Sequence, residues 1–329
     1  MMATARKDII SEGVAGFYHC YNRCVRRAYL CGIDDETGKD YSHRKQWLVN
    51  QIKVMSKCFA IDVYAYAIMD NHYHIVLYVN PDEANSWTDL DVVERWLNVY
   101  PSKINQPENA TKRKARIQAL LDDKEQLQEL RKRLASVSWF MARLNEPLAK
   151  LSNQEDCVNG RFWQGRFESQ ALLDEAAVIS CMAYVDLNPV RAAITQKLEA
   201  SKYTSIKQRI DESPSAESLS NSIGNVFDRQ KPSNQHAPIS AITLAEYIQL
   251  TEWAGQAIVH TNKAPIPTHI SPILERLNVQ RNHWLNQVRR LGESYTTAIG
   301  SIDRLRERAE RIRKRCLRGI SQSKLLYRT

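Results

Sequence analysis

The feature that most constrains this chain is a pair of apolar runs at residues 61–79, which read IDVYAYAIMDNHYHIVLYV. Both runs are rich in β-branched and aromatic residues, which favour strands, and Asp70-Asn71 between them has the composition of a turn. We therefore predict a β-hairpin. Because side chains alternate along a strand, His72 and His74 project from one face of the second strand. The opposite, core-facing set is Tyr73, Ile75, Leu77 and Val79.

The segments around this hairpin predict a mixed α+β fold. Residues 16–24 read as a strand, and apolar residues recur at helical spacing over 41–59. Residues 166–173 can form a fourth strand, after which Asp174 caps a helix that runs to Leu187. The order strand, helix, strand, strand, strand, helix predicts a ferredoxin-like split β-α-β domain with an antiparallel sheet.

The chain also predicts a division into domains. Residues 1–210 hold the strands and are interrupted by a charged helical insert at about 81–158. Residues 211–238 are rich in Ser, Asn and Pro and lack periodicity, which is typical of a linker. Residues 239–329 predict an all-helical C-terminal domain.

Positive charge is concentrated at the C-terminal end. The formal net charge is +9, and residues 302–329 contain ten Lys and Arg against three acidic residues. Such an excess indicates a polyanionic partner, while a solvated helix face is the simpler explanation for part of it. We predict that this basic arm contacts nucleic acid, and the residues assigned to that contact are Arg311, Arg313, Lys314 and Arg315.

Three features favour a soluble cytoplasmic protein. No apolar run is long enough to span a membrane. The N-terminal residues MMATARKDIISEG lack the apolar stretch of a signal peptide. The seven cysteines are an odd number and form no C-x-x-C pair, which fits reduced thiols better than a disulfide framework. We therefore expect no membrane partner.

The paired histidines are compatible with a metal site, but a His-x-His pair on a strand is also common by chance, so the motif alone leaves metal binding open. Two imidazoles on one strand face can bind one divalent cation, and completion by oxygen ligands would suit Mg²⁺ or Mn²⁺, with Zn²⁺ possible. In AYVDLNPVRAAI at 183–194, Tyr184 and Asn188 lie one helical turn apart on the same flank. Taken alone, a packed tyrosine and a helix-ending asparagine explain that pair better than a functional role does, so these two residues do not by themselves indicate a site.

A third segment, GRFWQGRF at 160–167, alternates arginines with aromatic residues. Aromatic rings stack on unpaired bases and arginines hold phosphates, whereas a strand entrance with core aromatics would give the same pattern. The residues assigned to DNA contact in this segment are Arg161, Trp163, Gln164 and Arg166.

Taken together and in this order, the motifs resemble those of the REP-associated tyrosine transposases. These are relatives of the single-tyrosine insertion-sequence transposases and belong to the HUH nuclease superfamily. The resemblance covers about residues 14–210 and is carried by FYHCYNRCVRR, NHYH, WQGRF and YVDLNPVRAA. It implies that His72, His74 and Asn188 bind a divalent metal, Mg²⁺ or Mn²⁺, and that Tyr184 is the nucleophile.

The same resemblance implies a partner and a location. The family cuts single-stranded DNA near hairpins of repeated extragenic palindromes, so single-stranded or hairpin DNA is the expected substrate. Arg23 and Arg191 lie inside the matching motifs and are assigned to DNA contact. The bacterial cytoplasm or nucleoid is the expected location, and the oligomeric state, monomer or homodimer, stays open.

The expected reaction is strand transfer. A metal held by neutral ligands keeps its full charge and polarises the scissile phosphate. Attack by Tyr184 would give a 5′-phosphotyrosine link that stores the phosphoester energy for resealing, and Tyr73 and Tyr18 are the next candidate nucleophiles. The alternative function is a non-catalytic nucleic-acid-binding protein on a ferredoxin-like scaffold, a domesticated repeat binder. A metal-stabilised structural domain is a third possibility.

Overall fold

The computed structural model describes most of the chain. The described residues are 6–25, 32–33, 38–100, 109–213, 215–227, 239–259, 267–291, 296–315, 317, 323 and 327. The strands in this part of the chain are β1 Gly16–Arg23, β2 Ile61–Ile68, β3 His72–Val79, β4 Glu168–Leu172 and β5 Ala298–Ile299. The strand predictions for β1 to β4 are therefore confirmed to within two residues at each end.

The helices fall into four groups along the chain. Between β1 and β2 lies α1 His43–Cys58, as the apolar spacing predicts. The insert between β3 and β4 contains α2 Pro81–Ser86, α3 Asp89–Val99, α4 Ala110–Asp122, α5 Lys124–Leu134 and α6 Val137–Glu155. After β4 come α7 Glu175–Asp186, α8 Asn188–Arg191, α9 Ser205–Glu212 and α10 Ala216–Ser220. The C-terminal group is α11 Leu244–Val259, α12 Ser271–Arg276, α13 Arg281–Arg290 and α14 Ile302–Arg311. None of the helices described is long and apolar enough to cross a membrane.

The strands form one mixed sheet with the order β2-β3-β1-β4-β5. The first four strands pair antiparallel, whereas β5 pairs parallel with β4 through Ala171 and Leu172. The expectations of a wholly antiparallel sheet and of an all-helical C-terminal region were therefore wrong at β5. A strand of two residues is too short to show the alternating apolar pattern by which a strand is predicted from sequence. In the fold, β5 supplies hydrogen-bond partners for main-chain groups of β4, which would otherwise form an open sheet edge.

Helices cover both faces of the sheet. On β3, Tyr73, Ile75 and Leu77 are fully buried on the face covered by α1 and the insert, so the predicted alternation is confirmed. The insert is part of this core, because Phe140 of α6 is fully buried with its ring 5.4 Å from that of Phe59. Burial of one such side chain contributes roughly 2–3 kcal/mol.

Helix α7 covers the other face and is buried on all sides. It begins where the carboxylate of Asp174 accepts a hydrogen bond from the main-chain N–H three residues on, which is the predicted N-cap. At its far end, the buried carboxylate of Asp186 accepts hydrogen bonds from the hydroxyls of Ser205 and Tyr247 and from the N–H of Ile206. These bonds tie the end of α7 to α9 and α11 and fix its position over the sheet.

Part of the predicted linker at 211–238 packs on the sheet, while 214 and 228–238 lie outside the described residues. Phe227 is buried, and its ring stacks on that of Tyr66 in β2 at 5.9 Å. The N–H of Val226 donates to a β2 carbonyl at 2.8 Å. Two neighbouring apolar residues are enough to anchor a segment whose polar composition is typical of a linker.

Candidate active site at one end of the sheet

The histidine end of β3 and helix α7 meet on one face of the sheet. His72 and His74 lie on this face, and their cross-strand neighbours on β1 are Arg23 and Tyr21. The ring of Tyr184, from α7, meets His74 edge-on with centroids 5.4 Å apart. The two histidine rings are 5.1 Å apart and also edge-on. Strand pairing and helix packing thus bring residues of separate motifs together.

Burial favours the neutral form of both β3 histidines, and each ring is oriented through its Nδ1 atom. His72 Nδ1 lies 2.6 Å from Oδ1 of Asn71, and His74 Nδ1 lies 2.9 Å from Nε2 of His19. Burial, followed by the charge of Arg23, lowers the pKa of His72 to about 4. Burial, followed by the neighbouring histidines, lowers the pKa of His74 well below its usual value. In each ring Nε2 is therefore the atom that can bind a cation.

A third histidine, which the sequence analysis did not single out, lies behind this pair. His19 of β1 is buried, and burial lowers its pKa to about 4. Its Nδ1 lies 3.1 Å from Oε1 of Gln170 on β4. The one local signal in the sequence is that His19 alternates with Tyr21 and Arg23 on one strand face. Its partner is set by the register between β1 and β4, which no local pattern reveals.

Tyr184 is buried, and burial raises the pKa of its phenol. The guanidinium of Arg191 lies 4.6 Å from the centre of the ring, and together with the side chain of Asn188 it opposes that rise. Arg191 also donates to the main-chain oxygen of Arg289 on α13 at 2.6 Å, which holds the guanidinium in place over the ring. The arginine assigned to DNA contact is thus placed against the tyrosine, where a positive charge favours the phenolate.

The side chain of Asn188 lies beside the phenol of Tyr184. Its Nδ2 donates to the main-chain oxygens of Tyr184 at 3.1 Å and Val185 at 3.4 Å, at the end of α7. That orientation leaves Oδ1 as the lone-pair donor of the side chain. Two imidazole nitrogens and one amide oxygen would be a neutral donor set, of a chemistry that suits Mn²⁺ or Zn²⁺, and suits Mg²⁺ when more oxygen ligands are added. Within the described ranges, no group of three or more His, Cys, Asp or Glu side chains is arranged to hold a metal.

A second tyrosine, not among the nucleophiles considered from the sequence, lies on the same face. The ring of Tyr21 is 5.4 Å from the rings of both His19 and His74. Its hydroxyl donates to Oε2 of Glu168 at 2.6 Å, and Glu168 is exposed at the start of β4. The site therefore has a solvent-facing hydroxyl–carboxylate pair beside the histidines.

The two other nucleophiles considered from the sequence, Tyr73 and Tyr18, lie on the opposite face. Tyr73 donates to Oδ1 of Asn145 on α6 at 2.7 Å. Tyr18 accepts from the N–H of Ser11 at 3.1 Å, near the start of β1. Strand alternation places both rings in the hydrophobic core, away from the histidines. Tyr21 replaces them as the second tyrosine to consider.

The aromatics of GRFWQGRF are packed against the core, as the structural interpretation of that segment expects. Phe162 and Phe167 are buried. Trp163 is half-buried; its Nε1 donates to the main-chain oxygen of Asn145 at 2.9 Å, and its ring meets that of Tyr73 at 5.8 Å. Part of the indole faces solvent, but its orientation is set by the protein.

The polar residues of the same segment lie at the rim of the site. The N–H of Gln164 donates to the main-chain oxygen of Arg23 at 2.9 Å, and Arg23 is the strand neighbour of His72. The segment therefore extends the histidine end of the sheet. The exposed side chains here are Arg23, Arg161, Gln164 and Arg166.

Helix α14 of the basic arm lies beside the start of β1. Arg308 and Arg311 line a cavity of about 270 Å³ together with Gly16 and Leu172, whereas the histidines flank the last residue of β1. The rings that contact Tyr184 are those of His19 and His74, and His74 pairs with Tyr21 toward the other end of β1. The exposed basic residues at the end of the helix and just after it are Arg311, Arg313, Lys314 and Arg315, of which Lys314 donates to Asp8 at 2.8 Å.

The comparisons with known proteins do not assign a family. No family model matches the chain, and no curated protein matches it. Among solved structures, the chain is similar to one described as a REP-associated tyrosine transposase bound to a REP hairpin, with 12% identity and a TM-score of 0.34. The likeness covers 73% of this chain and 100% of that chain. A likeness with this TM-score assigns neither a family nor a function to the chain.

Proposed function

We propose that this protein cleaves and rejoins single-stranded DNA, with Tyr184 as the nucleophile and with a divalent cation bound by His72, His74 and Asn188. The observation that carries the proposal is the edge-on contact of the Tyr184 and His74 rings, 5.4 Å between centroids. Phosphodiester transfer needs a nucleophile, a cation site and a fixed positive group within reach of each other. Arg191 is the fixed positive group.

The strand topology supports the same proposal. Without β5, the sheet order is β2-β3-β1-β4 with every pair antiparallel, and α1 connects β1 to β2. This order resembles the split β-α-β arrangement of ferredoxin-like folds, which we propose for the domain. Together with the motif resemblance, it leads us to assign the chain to the REP-associated tyrosine transposases. Residues 1–210 are then the catalytic domain with its insert at about 81–158, and residues 239–329 are the DNA-contacting part.

The residues of the chain suggest how the reaction proceeds. The phenol oxygen of Tyr184 bonds to phosphorus while the bond from phosphorus to the 3′ oxygen breaks. The phenol loses its proton and the leaving 3′ oxygen gains one, which gives a 5′-phosphotyrosine link and a free 3′ hydroxyl. Arg191 favours the phenolate because its guanidinium lies over the ring. A cation at His72, His74 and Asn188, Mg²⁺ or Mn²⁺, would polarise the phosphate oxygens as a Lewis acid.

The exposed residues supply the contacts to DNA. At the rim of the site, Arg23, Arg161 and Arg166 would hold phosphates on either side of the cleaved bond, and the exposed edge of Trp163 offers a stacking surface. The basic residues that follow α14 would bind the hairpin stem at a distance from the cut. Single-stranded or hairpin DNA is therefore the proposed partner, in the bacterial cytoplasm or nucleoid.

The test is the formation of a covalent adduct. The protein is incubated with end-labelled hairpin oligonucleotides and Mg²⁺ or Mn²⁺ and then run on a denaturing gel. We expect an adduct with the wild type and none with Tyr184→Phe. Tyr73→Phe, a matched change on the opposite face, should keep the adduct. Full adduct formation by Tyr184→Phe would move the nucleophile elsewhere. Hairpin binding without any wild-type adduct would favour the non-catalytic nucleic-acid-binding alternative.

A further inference from the structure

A buried chain of hydrogen bonds ends on His74, and the proposed reaction gives its other members no role. The amide nitrogen of Gln170 donates to the main-chain oxygen of Thr296 at 2.9 Å and lies 3.3 Å from its hydroxyl. The amide oxygen of Gln170 lies 3.1 Å from Nδ1 of His19, and Nε2 of His19 lies 2.9 Å from Nδ1 of His74. All four residues are buried, with side chains at most 5% exposed.

The direction of each bond follows from the carbonyl group of Thr296. A carbonyl oxygen only accepts, so the amide of Gln170 turns its nitrogen to Thr296 and its oxygen to His19. That oxygen also only accepts, so Nδ1 of His19 carries a proton. A neutral imidazole with a proton on Nδ1 has an acceptor at Nε2. Nδ1 of His74 must therefore carry the proton that fills this bond, and Nε2 of His74 keeps its lone pair.

We propose that Gln170 and His19 are positioning residues that hold His74 in the tautomer with its proton on Nδ1. The inference rests on the proposed function in one respect, because it takes His74 to be a cation ligand. Ligating histidines commonly donate their second N–H to a partner that fixes the ring and its tautomer. Here the partner is another histidine. A main-chain carbonyl next to β5 determines which atom donates and which accepts along the whole series of hydrogen bonds.

One consequence concerns the C-terminal part of the chain. Thr296 lies just before β5, which pairs with the strand that carries Gln170. The C-terminal region therefore completes the support of the histidines as well as carrying basic residues. On this basis, loss of β5 would disturb the proposed cation site even though β5 contains none of the proposed ligands.

The test uses the full-length, metal-free protein with ¹⁵N-labelled histidine. Long-range ¹H–¹⁵N spectra report which ring nitrogen of each histidine carries the proton. In the wild type we expect His74 protonated on Nδ1 and unprotonated on Nε2. Gln170→Met removes the acceptor for His19 and should raise the population of His74 with its proton on Nε2. The same variant should bind Mn²⁺ about 10–100-fold more weakly.

One control variant sharpens the test. Ser169→Ala, a buried neighbour on the other face of β4, should leave the His74 signals unchanged. A merely structural role for Gln170 would change the melting temperature of Gln170→Met without moving the tautomer.

The inference is overturned if wild-type His74 carries its proton on Nε2, or if Gln170→Met leaves both the His74 signals and the Mn²⁺ affinity unchanged. If Gln170→Met does not fold, the wild-type spectrum decides the question by itself. The spectrum needs neither DNA nor metal, so it is read independently of the covalent adduct. A missing wild-type adduct would sink the proposed function, whereas a wrong tautomer would sink only this inference.

Discussion

The two faces of the β1–β3 pair surround buried tyrosines with different neighbours. Burial raises the phenol pKa of both Tyr73 and Tyr184. Tyr73, under α6, donates to an asparagine and lies in the hydrophobic core. Tyr184, on the other face, has histidine rings beside it and the guanidinium of Arg191 over it. Burial alone therefore does not separate a structural tyrosine from a candidate nucleophile, whereas the charges and lone pairs around it do.

The sharpest test of this difference uses two neighbours on β3. His74→Ala should reduce cleavage to background, because it removes a cation ligand, with a smaller effect on folding. Ile75→Ala, on the opposite face, should lower the free energy of unfolding by about 3 kcal/mol and leave the cleavage rate of the folded protein unchanged. Urea unfolding and the adduct gel measure the two effects. If His74→Ala destabilised the fold as much as Ile75→Ala, the histidine would be structural.

A second test concerns the helix side of the site. Asn188→Ala removes the amide oxygen and should weaken Mn²⁺ binding by more than about tenfold, on the scale of other losses around metal sites. Asn188→Asp keeps an oxygen ligand, so binding should persist, while the added negative charge near Tyr184 disfavours the phenolate and slows cleavage. Titration calorimetry measures the first effect and the adduct gel the second. Unchanged Mn²⁺ affinity in Asn188→Ala would remove the asparagine from the ligand set.

The two faces also differ in how much of them the sequence predicts. The alternation of β3 and the capped helix that carries Tyr184 are local patterns, so both elements and the facing of His72 and His74 were predicted. Gln170 meets His19 through the register of two strands separated by the whole insert. Such a register depends on the packing of the complete sheet. Consequently the histidine pair was predictable from the sequence. The hydrogen bonds from Gln170 through His19 to His74, and the Tyr21–Glu168 pair, were not.

A third test separates the cleavage site from the basic arm. Changing Arg311, Arg313 and Arg315 together to Gln should weaken hairpin binding by about tenfold or more at moderate salt. The dependence of log affinity on log salt should become shallower by up to about 0.9 for each phosphate that the arm no longer neutralises. The cleavage rate at saturating DNA should stay the same, because α14 lies beside the opposite end of β1. Arg306→Gln is the control, since Arg306 already pairs with Asp303 at 3.4 Å. An unchanged salt slope would exclude the arm from DNA contact.

The smallest expected effect compares the two tyrosines of β1 that face opposite ways. Tyr21→Phe keeps the ring beside His74 but releases the carboxylate of Glu168, which the hydroxyl holds at 2.6 Å. We expect the covalent adduct to form with a rate reduced less than about tenfold. Tyr18→Phe should leave the rate unchanged and lower the free energy of unfolding by about 1–3 kcal/mol, because it removes the hydroxyl that accepts from the N–H of Ser11 and bonds to Arg308. If Tyr21→Phe abolished the adduct as Tyr184→Phe is expected to, the nucleophile would be the strand tyrosine. The helix tyrosine would then share the packing role of Tyr73.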